Sequence, residues 1–318
     1  MDFNNIQHFL NSTLQYFIYS LVVCVSLQGQ TTTSFYRMSA EHQQMGTQWK
    51  IIVYVEDTLA AANWLDQSWK QLDLLNQMMS DYDSDSELNQ IHLGHPSKQW
   101  VPISEPLFEV LSRAQYFSQV SKGAFDVTIG PLSVLWRKAF RRQTFPNAKK
   151  IRVAKKKVNY HWLCLNEQSV FLKKNGMRLD LGGIAKGYAV DYLFEFLEQK
   201  GINAILVDGG GDIRVGAPPP NQETWTIKLP NEQVYSLVNQ SIATSGASYQ
   251  YLEHKGIRYS HIIDPKIGFG IKGHQLVSVI ADRCQDADAL ASIASLFNGS
   301  ELKRLQKKVS FDFQVLSF

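Results

Sequence analysis

The sequence predicts an α+β fold, with mixed or antiparallel sheets packed by helices. Two observations carry this. Apolar residues recur at three- and four-residue spacing in some segments and fill short bounded runs in others, the periods of helix and strand respectively. The second half holds several short strands joined by short loops and lacks the regular crossover helices of a doubly wound parallel sheet. No Pro/Gly/Ser-rich linker interrupts the chain, so residues 45–318 read as one domain.

Residues 1–29 read as a signal peptide or a lipoprotein signal, with a plain buried N-terminal helix as the remaining alternative. The run from Phe17 to Leu27 is uncharged, has the length of a signal core and is too short to span a bilayer as a helix. Cleavage near Gly29–Gln30 or lipidation of Cys24 are the two processing routes, and the second gives a lipid anchor. Either places the chain outside the cytoplasm, in the periplasm or attached to the inner membrane facing it.

Lys50–Val55 is the first expected strand. A helix follows from about Asp57 to Met79, because Leu65, Trp69, Leu72, Leu75 and Met79 share one face. Ser84 and Glu87 have capping-box spacing and predict a short helix. Glu105–Val120 is a third helix, with Pro106 in its first turn and Gly123 just past its end. Arg137–Lys157 is strongly basic and reads either as a solvated insertion or as a contact for an anionic partner. A helix over about Gly183–Gln199 stops at Gly201. Strands are expected at Ala204–Asp208, Trp225–Leu229, Ile257–Ile263 and Leu276–Ala281, and a last helix at Asp286–Phe297.

Composition removes several function classes. The 318 residues carry 32 basic and 29 acidic side chains, a net charge of +3, so no overall polybasic field suggests nucleic acid. Three cysteines without a CxxC pair exclude a disulfide framework and a zinc ribbon. A hydrophobic content of 44% supports a real core.

Five segments carry candidate chemistry. In Leu179–Asp191 a glycine pair opens a helix with Lys186 in its first turn. That suits a phosphate, and it equally suits close helix packing with Lys186 on the surface. Asp208-Gly209-Gly210-Gly211-Asp212 is a tight turn or a place of close ligand approach. In Ser260–Pro265, His261 either positions a substrate or is structural. Asp288 and Ser292 are four apart on one helical face and offer hard oxygen ligands for Mg²⁺; the plainer reading is an acidic first turn with Asp286 as its cap. Gly123–Leu132 by itself reads as a loop.

Together and in order, these segments resemble the FAD:protein FMN transferase family, the ApbE flavin transferases. The resemblance starts at Met45-Gly46-Thr47 and runs through YDSDSEL from Tyr82, GAFDVTIGPL, LDLGGIAKGYAVD, VDGGGDIRVG, IATSG, SHIIDP and ADALAS. It implies an enzyme that binds FAD and Mg²⁺ and moves FMN onto a Thr or Ser hydroxyl of an acceptor protein, releasing AMP. The implied acceptor is a flavin-carrying subunit of a respiratory or redox membrane complex. By position, Mg²⁺ falls to the Gly183 carbonyl, Asp288 and Ser292, the last where the family usually has Thr. FAD falls to Met45, Tyr82, Ala124, Phe125, Asp126, Asp180, Lys186 and Ile263. His261 and Asp288 are the implied catalytic residues; as base for the acceptor hydroxyl His261 is the natural candidate and Asp264, just before Pro265, a poorer one. Two competing activities use the same site: an FAD pyrophosphatase yielding FMN and AMP, and a non-catalytic FAD-binding carrier.

Overall fold

The computed structural model describes residues 34–93, 99–246, 251–273 and 276–317. The expected signal segment and Cys24 lie outside the described residues.

The frame is a seven-stranded sheet whose strands lie in chain order, each antiparallel to the next. They are β1 (Tyr36–Gln44), β2 (Thr47–Val55), β3 (Ile205–Asp208), β4 (Ile213–Val215), β5 (Gln240–Gly246), β6 (Leu276–Ala281) and β7 (Phe313–Ser317). β1 is absent from the sequence expectation because its polar residues hide the period of two; it pairs with β2 through a two-residue turn. In that turn Met45 and Gly46 both have positive φ, of 50° and 76°, the form that matches strand twist in a tight hairpin.

Eight helices are described: α1 (Thr58–Met79), α2 (Glu87–Leu93), α3 (Glu105–Val120), α4 (Gly130–Arg142), α5 (Ala148–Lys155), α6 (Ala185–Glu198), α7 (Cys284–Ala294) and α8 (Gly299–Gln306). Alternation along β2 sorts the two faces of the sheet. Trp49, Ile51 and Val53 pack with α1, α3, α6 and α7 in the main core. Ile52 and Tyr54 join a second apolar cluster, which the hairpin of Trp225–Lys228 and Val234–Leu237 covers.

α1 is capped by Asp57, whose carboxylate accepts the Leu59 and Ala60 amides. α2 starts as expected but not by the expected cap. The Ser86 hydroxyl accepts the Asn89 amide, while Glu87 reaches outward to the Ser104 hydroxyl. The basic stretch, read as a solvated insertion or an anionic contact, forms the end of α4 and all of α5, with most of its basic side chains exposed. Trp136 and Ile151 sink into a third cluster with Tyr259 and Ile263. Tyr259 and Ile263 belong to Ile257–Asp264, the central strand of a separate three-stranded sheet. Among the described residues no helix is long and apolar enough to cross a membrane.

Candidate active site

The site is assembled where α6 meets α7, and three α6-side positions four residues apart make that contact. A Cβ on Gly183 would lie 3.0 Å from Ser292 Oγ and 3.2 Å from the Phe125 ring. One turn on, a Cβ on Gly187 would lie 2.5 Å from the Cys284 carbonyl oxygen. Only glycine lets the two backbones approach this closely. The Gly187 amide donates to Asp288 Oδ2 at 3.2 Å. A further turn on, the buried Asp191 carboxylate accepts the Cys284 and Gln285 amides, both at 2.9 Å, and pairs with Arg214 at 2.8 Å. Asp191 therefore caps α7 from another helix. Asp286, expected as the cap, instead meets Arg113 in two 2.6 Å hydrogen bonds.

Asp288 is buried beside a second acid, Asp212. Burial and the Asp212 charge push its carboxyl up to about 7, against the opposing pull of Lys186 and the Gly187 amide. Lys186 forms an ion pair with Asp212. Burial disfavours its charge, yet Asp212 and Asp288 together hold its pKa above the ordinary lysine value. Lys186 is thus no freely solvated surface residue.

Asp212 arrives through the glycine turn after β3. Gly210 and Gly211 have φ of +78° and +99°, and the Gly211 amide binds Asp208 Oδ1 at 2.8 Å. The space over Gly210 is filled by Thr47 and that over Gly209 by Trp49. The Met45–Thr47 turn is thereby locked against the strand end that presents Asp212.

A second group of predicted residues gathers around Arg137, which sequence reasoning missed. Its guanidinium pairs with Asp81 and, at 2.7 Å, with Asp180. It also lies 4.2 Å from the centre of the Tyr82 ring. Tyr82 is 79% exposed, so with Arg137 on one side its ring is an open stacking surface and not part of an enclosed slot. Burial, then the Asp180 charge, raises the Asp81 carboxyl to about 6, with Arg137 opposing. The missed signal is an arginine on the otherwise polar side of α4, which a basic run conceals.

The remaining predicted residues are placed separately. Asp126 is buried and satisfied, accepting from the Thr128 amide and hydroxyl in its own loop and from the distant Tyr160 amide. It shapes the loop that brings Ala124 and Phe125 inward, and Phe125 reaches Gly183. His261 is exposed at a register shift in the Ile257–Asp264 strand. Ile263 two residues later is buried against α4. Asp264 accepts the Lys266 amide and serves the following turn.

The Gly183 carbonyl, Asp288 and Ser292 suit Mg²⁺ as a donor set. They are hard oxygens, and the one carboxylate among them is under strain from a neighbouring acid that a dication would relieve. No group of three or more His, Cys, Asp or Glu side chains able to hold a metal occurs among the described residues. A set this sparse matches an ion that keeps waters or substrate oxygens in its shell.

The ApbE family matches residues 45–315. This chain belongs to the ApbE family. It is 31% identical over 284 residues to the FAD:protein FMN transferase of Salmonella typhimurium, covering 84% of this chain and 81% of that protein. The protein of the same name in Escherichia coli K12 is 31% identical over 265 residues, covering 78% and 75%. A mutant of the flavin transferase ApbE from Vibrio cholerae superposes with a TM-score of 0.79 at 26% identity, covering 89% of this chain and 93% of that one. The apo flavinyl transferase ApbE of Pseudomonas stutzeri gives 0.77 at 25% identity, covering 89% and 95%. The helices on an antiparallel sheet expected from the sequence are thus the architecture of this family.

Proposed function

We propose that the protein is an FAD:protein FMN transferase, moving the FMN part of FAD onto a Thr or Ser hydroxyl of an acceptor protein. The observation that carries this is the union at one helix junction of Gly183, Lys186, Asp288 and Ser292 in a member of the ApbE family.

Mg²⁺ would be held by the Gly183 carbonyl, Asp288 and Ser292, and when bound it neutralises charge on the pyrophosphate oxygens. Lys186 adds a fixed positive charge beside that position and is kept protonated by Asp212 and Asp288. Tyr82 offers its exposed face to a ring of the substrate, and Phe125 closes the Gly183 side. The acceptor oxygen attacks the FMN phosphorus, its proton passes to His261, and the bond to the AMP oxygen breaks. The acceptor we assign is a flavin-carrying subunit of a respiratory or redox membrane complex met on the periplasmic side. That assignment rests on the family resemblance and on the apolar segment of the first 29 residues.

The test incubates the protein with FAD, Mg²⁺ and a carrier peptide holding the acceptor Thr, followed by mass spectrometry. Covalent FMN on the peptide and an equal yield of AMP are expected. Free FMN and AMP with an unmodified peptide would show a pyrophosphatase, and intact bound FAD a carrier.

A further inference from the structure

Charge in this molecule is strongly segregated. Residues 137–157 contain ten of the 32 basic side chains and no acidic one, while the rest of the sequence has 22 basic against 29 acidic. The positive surplus of the chain is therefore confined to the end of α4, the following loop and α5. Of these ten residues, Arg137 alone forms ion pairs with carboxylates among the described residues. Like charges so crowded repel one another, and the fold supplies little that compensates them.

α4 and α5 leave between them a groove of about 700 Å³. Val134 and Val153 line it and are 39% and 53% exposed. Lys138, Lys149, Lys150 and Arg178 stand along it. An apolar strip bordered by unpaired lysines complements a segment that is apolar on one side and acidic on the other. A bilayer fits less well. The bulky aromatics here are turned inward, Trp136 and Phe145 against Tyr259 and Phe269 and Phe140 against Trp136, so none projects to insert. A concave floor also suits a helical ridge better than a flat lipid surface does. The groove adjoins the candidate site, because α4 also carries Arg137 to Asp180 and Tyr82, and Arg178 stands two residues before Asp180.

We propose that the α4–α5 groove is the docking surface for the acceptor protein and takes an amphipathic acidic segment of it. The identity of the partner as the acceptor rests on the transferase reading; the chemistry of the groove does not.

The full chain is titrated, by fluorescence anisotropy, with a labelled helical peptide bearing leucines on one face and glutamates on the other. A second peptide keeps the glutamates and replaces leucine by serine. The leucine peptide should bind about tenfold tighter or better, and Val153→Glu and the pair Lys149→Glu, Lys150→Glu should each weaken it about tenfold. Fused to a short Thr-containing acceptor, it should lower the acceptor KM in FMN transfer with wild type and not with the variants. The unfused acceptor should react equally with all three proteins, which also shows that the variants fold. Equal binding of both peptides, or indifference to Val153→Glu, would overturn the proposal in favour of diffuse electrostatics. Binding of phosphatidylcholine–phosphatidylglycerol vesicles that depends on Val153 while the peptide fails to bind would overturn it in favour of a membrane. Intact peptide binding without transfer to any acceptor would sink the transferase reading and support the docking surface.

Discussion

At the residue scale the site depends on charges held against their preferences. Asp288 sits buried next to Asp212, and Lys186 lies between solvation it has lost and carboxylates it has gained. Asp288→Ala should abolish Mg²⁺-dependent turnover, since it deletes the one carboxylate of the proposed metal set while leaving Lys186 paired with Asp212. Full activity of that variant with Mg²⁺ would remove the metal assignment. Arg137 is the second pivot. Arg137→Gln strips the support from one face of Tyr82 and frees Asp180, so the KM for FAD should rise about tenfold with a smaller change in kcat. The same change removes the positive charge that opposes protonation of Asp81. Its carboxyl midpoint, about 6 in the wild type, should move upward in carbon-13 NMR titration; a downward move would show that Arg137 is not its counter-ion.

At the element scale, the α6–α7 junction was partly legible in the sequence. The glycine pair before α6, and Asp288 and Ser292 four apart on α7, are local patterns, and the structure joins them through Gly183. What stayed hidden is what only tertiary contact defines. Asp191 caps a helix that begins 93 residues later, and Arg137 meets Asp180 across 43 residues. Neither pair leaves a periodicity within a window of one helix. The Ser84–Glu87 spacing pointed to the right helix by the wrong bond, because Ser86 lay as close and Glu87 had Ser104 to bind. The junction makes its own prediction. Gly187→Ala would press a methyl group onto the Cys284 carbonyl, 2.5 Å away, and must push α7 outward. A loss of about 1–3 kcal/mol in unfolding free energy is expected. Mg²⁺ affinity should fall with it, because Asp288 and Ser292 ride on α7 and Gly183 does not. Calorimetric Mg²⁺ titration at wild-type strength in a destabilised Gly187→Ala protein would show that the helix contact does not set the donor positions.

At the scale of the whole molecule, a seven-stranded meander carries its working parts in the excursions between neighbouring strands. Everything from α1 to α6 lies between β2 and β3, the strand of His261 lies between β5 and β6, and α7 and α8 follow β6. The long first excursion brings a structural cost with it. Both ring nitrogens of His92, in α2, are buried without a hydrogen-bond partner among the described residues, beside a cavity shared with Val101, Val170 and Lys174. Burial, and then the nearby Arg178 charge, lower its pKa from 6.5 to about 4. A histidine whose folded pKa is depressed takes up its proton more readily in the unfolded chain. Its effect is therefore absent well above pH 6.5 and grows into a destabilisation as pH falls from there towards 4. At pH 5 the penalty should be about 1–2 kcal/mol by this linkage. His92→Leu should be neutral or mildly stabilising at pH 8, where only the unpaired nitrogens are removed. Its advantage over wild type should widen by that amount at pH 5. Urea unfolding of both proteins at the two pH values measures the difference directly. A gap that stays constant between pH 8 and pH 5 would mean that His92 titrates normally and that its nitrogens reach water.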